Sequence, residues 1–135
     1  MFVDTGAWYA LQTRHDARSS AAQATWRELV SSPRSLVTTN VVVGETYTLI
    51  RIRHGHDAAW RFIDSLERTR RLVRHHVTPD LEAQAYLILR QYRDQDFSYQ
   101  DATSFAFMRR AGITEAFAFD AHFATAGFSR IPPQP

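Results

Sequence analysis

The sequence predicts an α/β domain, a parallel sheet with helices on both faces. Three observations lead there. The chain opens on an apolar pair, Phe2 and Val3, and stops at once on Asp4, followed by the small residues Thr5 and Gly6. Short runs rich in β-branched or aromatic residues recur at 36–39, 72–77, 116–119 and 128–131. Segments of helical period separate them. At 135 residues this is one domain with a single substantial core, expected over 1–131, with a Pro-rich, frayed tail at 132–135.

Composition narrows the class. A hydrophobic fraction of 44% and an aromatic fraction of 13% favour a folded chain over a disordered one. With no cysteine, disulfides and thiolate metal sites are excluded. There is no signal peptide and no apolar run of membrane-spanning length, so the expectation is a soluble, cytoplasmic protein with no membrane contact. All 16 basic residues are Arg, which codon bias in a GC-rich genome explains by itself. If four acids are gathered in one site, however, the remainder carries 16 Arg against ten acids, a surplus of six positive charges. An acidic pocket in a basic rim suits a metal-dependent enzyme acting on a polyanion.

Taken in order, residues 7–11 follow the first strand as a short helix. Asp16 or Ser19 is placed to cap the next helix, whose apolar side carries Ala22, Trp26, Leu29 and Val30. A turn at 31–34 leads to the second strand, 36–39. Asn40 is a good N-cap for a helix over 41–53, in which Val42, Glu45 and Leu49 share one side. Gly55 ends that helix, and Asp57 is placed to cap another over 58–68. Arg68, Arg70, Arg71 and Arg74 form a basic run into the third strand, 72–77. They read either as a solvated helix end or as an RNA contact. Thr78 and Pro79 are cap and first helical residue of a helix to about Tyr92. Ser98 opens a helix that Gly112 stops. The fourth strand, 116–119, ends on Asp120, and a helical turn precedes the fifth.

Four acids stand where chemistry is done in such a fold. Asp4 and Asp120 end strands, and open parallel sheets bind ligands outside those ends. Glu45 and Asp101 sit early in helices. If the strands are neighbours, all four carboxylates share one crevice, where they raise each other's pKa unless a cation neutralises them. Oxygen ligands without Cys favour Mg²⁺ or Mn²⁺ over zinc, and the chemistry that follows is metal-assisted phosphodiester hydrolysis. Each acid also has a structural reading. Asp4 and Asp120 are placed to cap the helices after them, and Asp101 stands at N3 behind Ser98, a capping-box arrangement. Glu45, flanked by Val42, Val43 and Leu49, is costly to bury unpaired.

Other leads fall away. Asp4, Thr5 and Gly6 spell the aspartic-protease triplet, but those enzymes are all-β. A haloacid-dehalogenase-type phosphatase wants a second acid two residues past the first, where Gly6 stands. His54 with His56, and His75 with His76, lack metal-ligand spacing.

With these residues in hand, the sequence resembles PIN-domain ribonucleases, specifically the VapC-type toxins of bacterial and archaeal toxin–antitoxin pairs. The matching pieces are FVDTGAWYAL, TTNVVVGETYTLI with Glu45, DFSYQDATSFAFMRRAGI with Asp101, and AFAFDAHFATAGF with Asp120, spread from residue 2 to residue 128. The resemblance implies a three-layer α/β/α sandwich on a five-stranded parallel sheet and Mg²⁺- or Mn²⁺-dependent endonucleolytic cleavage of RNA. It implies Asp4, Glu45, Asp101 and Asp120 as the catalytic and metal-binding acids, Asp4 and Asp101 foremost as ligands, with Thr5 and Asn40 lining or orienting the site. It further implies a homodimer and a small inhibitory antitoxin. Two positions depart from the family pattern: Gly6 stands where many relatives carry Ser, and His122 where some add an acid. Two other readings stay open from sequence: a non-catalytic PIN-fold module binding RNA or protein, and a housekeeping RNA-processing nuclease.

Overall fold

The computed structural model describes residues 1–134. The elements run β1 (Phe2–Val3), α1 (Thr5–Gln12), α2 (Ser19–Ser31), β2 (Leu36–Thr39), α3 (Asn40–His54), α4 (His56–Arg68), β3 (Leu72–His75), α5 (Pro79–Gln91), α6 (Tyr99–Ala111), β4 (Glu115–Phe117), α7 (His122–Thr125) and β5 (Ser129–Ile131). The five strands form one sheet in the order β3-β2-β1-β4-β5. Every neighbouring pair is parallel. The α/β expectation therefore holds.

β1 is the centre of this sheet despite having two residues. Phe2 pairs with Val37 on one side and Ala116 on the other, and both of its residues are fully buried. From β1 the chain steps outward through β2 to β3, then returns to place β4 against the opposite edge of β1. The strand order thus reverses between β1 and β4, the point at which open α/β sheets present a ligand crevice.

Right-handed crossovers put the helices of the outward steps on one face and those of the return on the other. Aromatic contacts mark the two layers. Trp8 of α1 meets Trp26 of α2 at 5.4 Å and Phe62 of α4 at 6.0 Å on one side. On the other, Phe2 meets Phe107 of α6 at 6.0 Å and Phe123 of α7 at 6.2 Å. α6 is the most deeply set helix, with residues 100–108 all buried. No helix among the described residues is long and apolar enough to cross a membrane.

Several boundaries differ from the sequence expectation. The cap of α3 is Thr39, whose hydroxyl accepts from the Val42 N–H at 3.3 Å. Asn40 is already helical, and its Oδ1 instead accepts from the Val77 N–H at 2.8 Å. β3 ends at His75, opposite Thr39, the last residue of β2. Neither Asp16 nor Ser19 caps α2, whose N-cap is Arg18. Asp16 instead accepts from the Arg18 N–H at 2.8 Å. Asp57 lies inside the first turn of α4, behind a Gly55 cap with φ 89°. β4 stops at Phe117, opposite Val3 and Ile131, the last residues of β1 and β5, and the carbonyl of buried Phe119 is taken by the Arg130 guanidinium at 3.1 Å. Residues 132–134 of the expected tail carry no helix or strand, and its last residue, Pro135, lies outside the described residues.

Candidate active site

Asp4 sits where the central strand stops. Its backbone N–H is held by the Phe117 carbonyl at 3.1 Å, which ties the end of β1 to β4. Its side chain caps α1, Oδ2 accepting from the Gly6 N–H at 3.3 Å. Oδ1 accepts from the Gln100 amide at 3.0 Å. The carboxyl is 4% exposed. Burial pushes its pKa up to about 7, against the backbone N–H groups of Thr5 and Gly6; the charge of Asp101 pushes the same way as burial, and Gln100 resists.

Asp101 is 5% exposed in the first turn of α6. The capping box read from the sequence is formed: Ser98 Oγ accepts from the Asp101 N–H at 3.0 Å, and Asp101 Oδ2 from the Ser98 N–H at 2.9 Å. Asp101 Oδ2 also lies 3.0 Å from Nδ1 of His122. Asp120, exposed past the end of β4, accepts from the His122 N–H at 2.8 Å and lies 3.5 Å from the same Nδ1. Asp101, Asp120 and His122 each offer a ligand atom within 4.8 Å of the others.

Glu45 departs from its expected setting. Val42, Thr46 and Ile50 take the inward side of α3, and Glu45 is exposed at the rim. Its pKa is nevertheless raised, first by the neighbours that cover part of it and then by the charges of Asp101 and Asp120. The four acids are therefore coupled, though only two of them belong to the tight trio with His122.

Of the two supporting polar residues, Thr5 is buried beside Asp4 and its Oγ1 has no hydrogen-bond partner among the described residues, as is true of Trp8 Nε1. Asn40 is committed to Val77. It borders a depression whose wall includes Glu45, Leu49, Ile52, Tyr99 and Gln100. Gln100, which the sequence did not single out, is part of the site, and so is His122, noted from sequence only as standing where some relatives add an acid. Gln100 is buried and bridges Asp4 to Ser104 Oγ, the latter at 2.8 Å, and His122 stands between two of the acids.

The donors present fit a hard divalent cation: carboxylate oxygens, an acid whose pKa is pushed up by burial and by the charge of Asp101, and an unsatisfied hydroxyl at its side.

The Arg run lies apart from the acids. Arg68, Arg70 and Arg71 border a depression with Trp26 and Val30, before the first residue of β3, whereas the acids lie past the last residues of β1 and β4. Arg71, at φ 63°, donates to the Ser32 and Val30 carbonyls. Arg74 pairs with Glu67 at 2.6 Å. Other basic residues surround the end of α1. A cavity of ≈ 960 Å³ there is lined by Tyr9, Gln12, Arg14, His15, His54 and Arg61 among others. Arg18, in the same loop, sits 5.5 Å over the ring of Phe119, next to Asp120.

The PIN domain family matches residues 1–129. The chain is 44% identical over 135 residues to the 23S rRNA-specific endonuclease VapC20 of Mycobacterium tuberculosis, in strains CDC 1551 / Oshkosh and ATCC 25618 / H37Rv, with 99% of both chains covered. The crystal structure of Mycobacterium tuberculosis VapC20, described as a sarcin-ricin loop cleaving toxin, superposes with a TM-score of 0.86 at 42% identity, over 94% of this chain and 95% of that one. A five-stranded parallel sheet, acids gathered past its central strands and a full-length match agree: this chain belongs to the PIN-domain family.

Proposed function

We propose that this protein is a VapC-like toxin, a metal-dependent endoribonuclease that hydrolyses a phosphodiester bond in the sarcin–ricin loop of 23S rRNA. The observation that carries the reading is the meeting of Asp4, Asp101 and Asp120 at the β1–β4 reversal, with Glu45 coupled to them by charge. The full-length likeness to VapC20, a 23S rRNA-specific endonuclease described as cleaving the sarcin-ricin loop, supports this choice of substrate.

In this reading residues 1–131 act as one nuclease domain. Asp4 and Asp101 would hold a Mg²⁺ or Mn²⁺ ion, helped by Asp120 and Glu45, with the buried Thr5 hydroxyl beside Asp4 and Asn40 shaping the rim. A bound ion supplies positive charge for the phosphoryl oxygens and lowers the pKa of a bound water. Glu45, exposed and with a raised pKa, takes a proton from the attacking water. The water oxygen forms a new bond to phosphorus as the bond to the leaving ribose oxygen breaks, and solvent protonates that oxygen.

Arg14, Arg18 and Arg61 receive phosphates near the acids, and the Arg68, Arg70, Arg71 and Arg74 run serves outer contacts of a long, structured RNA. The apolar surface formed by Ile52, Tyr86, Leu87 and Tyr99, each more than 40% exposed, favours a homodimer. The protein acts in the cytoplasm and is restrained by a small antitoxin.

The test is incubation of ribosomes and total RNA with wild type and Asp101→Asn, with Mn²⁺ and with EDTA. A discrete cut in large-subunit RNA, seen only with wild type and metal, is the expected result. Intact RNA with folded, metal-loaded protein sinks the reading in favour of a binding module.

A further inference from the structure

The acids alone make an all-oxygen site, yet the trio in which three ligand atoms converge contains a nitrogen. We propose that Nδ1 of His122 is a direct ligand of the divalent ion bound at Asp101 and Asp120, making a mixed nitrogen–oxygen site that prefers Mn²⁺ and other first-row transition ions to Mg²⁺. The proposal rests on the reading above that these acids hold a divalent ion.

The three donor atoms, two of them in hydrogen-bonding contact, lie within 4.8 Å of one another, close enough to share one ion. Two ligands side by side on an octahedral ion held at about 2.1 Å lie about 3.0 Å apart. His122 Nδ1 lies 3.0 Å from Asp101 Oδ2 and 3.5 Å from Asp120 Oδ1. The imidazole is fixed at this place from three sides. Its own backbone N–H is bonded to Asp120 Oδ1 at 2.8 Å. The Phe97 ring meets it edge-on at 5.1 Å and 67°. Phe123, the next residue, is fully buried against Phe105 at 5.0 Å, which anchors the turn carrying His122. Asp101 in turn is held by the Ser98 N–H, so neither donor has to move to meet an ion.

Imidazole nitrogen is a ligand that Mn²⁺ and the later first-row ions accept, whereas Mg²⁺ keeps oxygen and water. Replacing one oxygen donor by nitrogen therefore changes which ion the site selects.

Electron spin-echo spectroscopy of the wild-type protein loaded with Mn²⁺ reads the ligand atom directly. Nitrogen modulation from one imidazole is expected in the wild type and absent from His122→Ala and His122→Asp. Calorimetric titration with Mn²⁺ and Mg²⁺ gives the second readout. His122→Ala should weaken Mn²⁺ binding at least about tenfold, and His122→Asp should lower the ratio of Mn²⁺ to Mg²⁺ affinity by a similar factor. The spin-echo result on the wild type stands even if a variant fails to fold. Mn²⁺ bound with no nitrogen modulation overturns the assignment of His122 while leaving the nuclease reading intact. No Mn²⁺ binding at all overturns both.

Discussion

The Nε2 of Gln100 donates to Oδ1 of Asp4 at 3.0 Å, joining the first turn of α6 to the end of the central strand across 96 residues of chain. Both residues are buried. The amide offers a donor to an acid that burial drives towards its neutral form. Gln100→Ala leaves Asp4 with backbone donors only, so its pKa rises further above about 7. Because a metal bound at Asp4 must displace that proton, cleavage at pH 7 and limiting metal should fall and recover towards higher pH. A pH–rate profile of the variant that coincides with wild type would rule this out.

Asp4 also sets a pH dependence of stability. Its folded pKa of about 7 lies above the ordinary 3.8, so the native state binds a proton that the unfolded chain has released. The stability tied to this proton is complete below pH 3.8 and is lost as pH rises through about 7. The change is on the order of 4 kcal/mol by linkage. Metal-free wild type should therefore melt lower at pH 8 than at pH 5, and Asp4→Asn should lack this part of the decline while losing cleavage. A divalent ion added at pH 8 should restore wild type and leave the variant little changed. Parallel pH dependences in the two proteins would show that Asp4 does not titrate in this range.

Cap and chemistry can be separated in α6. Ser98→Ala removes the hydroxyl that caps the helix but keeps the backbone N–H that holds Asp101 Oδ2. The expected outcome is a loss of about 1 kcal/mol in denaturant unfolding, with cleavage within a few-fold of wild type. Asp101→Asn should do the opposite, keeping an acceptor for the Ser98 N–H while abolishing cleavage.

Gly6 offers a gain. A Cβ built there meets only Asp4 Oδ2, at an ordinary 3.7 Å. Gly6→Ser should be accommodated, stabilise α1 by about 0.5 kcal/mol, and place a hydroxyl beside the acid. Thermal melts and the pH–rate profile check it; a destabilised variant would show that the space is not there.

For RNA, Arg14→Ala with Arg61→Ala should reduce the salt slope of binding by about two. Arg68→Ala with Arg70→Ala should reduce it less. Equal effects would mean that RNA follows both surfaces alike.

What could be read in the sequence depended on whether a residue's role is local. Asp4 was legible because an apolar run ending on an acid is a strand tip, and Ser98 with Asp101 because a capping box spans three residues. Thr78 and Pro79 open α5 for the same reason, Thr78 Oγ1 accepting from the Leu81 N–H at 3.3 Å. Asn40 misled because Thr39 beside it is an equally good cap, and only the docking of residue 77 decides between them. Glu45 was placed among apolar neighbours, but which side of α3 faces inward is set by the sheet, not by the helix. Gln100 had no local signature, and His122 stood out only as a departure from the family pattern. A polar residue in a first helical turn reads as solvated until the burial of the whole of α6 is known. His122 reaches Asp101 only across 21 residues and a strand.

Because β4 lies against β1, the order of synthesis governs when this protein becomes dangerous. Until residues beyond 115 have left the ribosome, the Asp4 N–H has no Phe117 carbonyl to hold it, and neither Asp120 nor His122 exists to stand beside Asp101. The acidic cluster is therefore assembled in one step with the last strands, rather than growing as the chain lengthens. A chain cut short before residue 115 lacks both the strand that holds the Asp4 N–H and the side chains that stand beside Asp101.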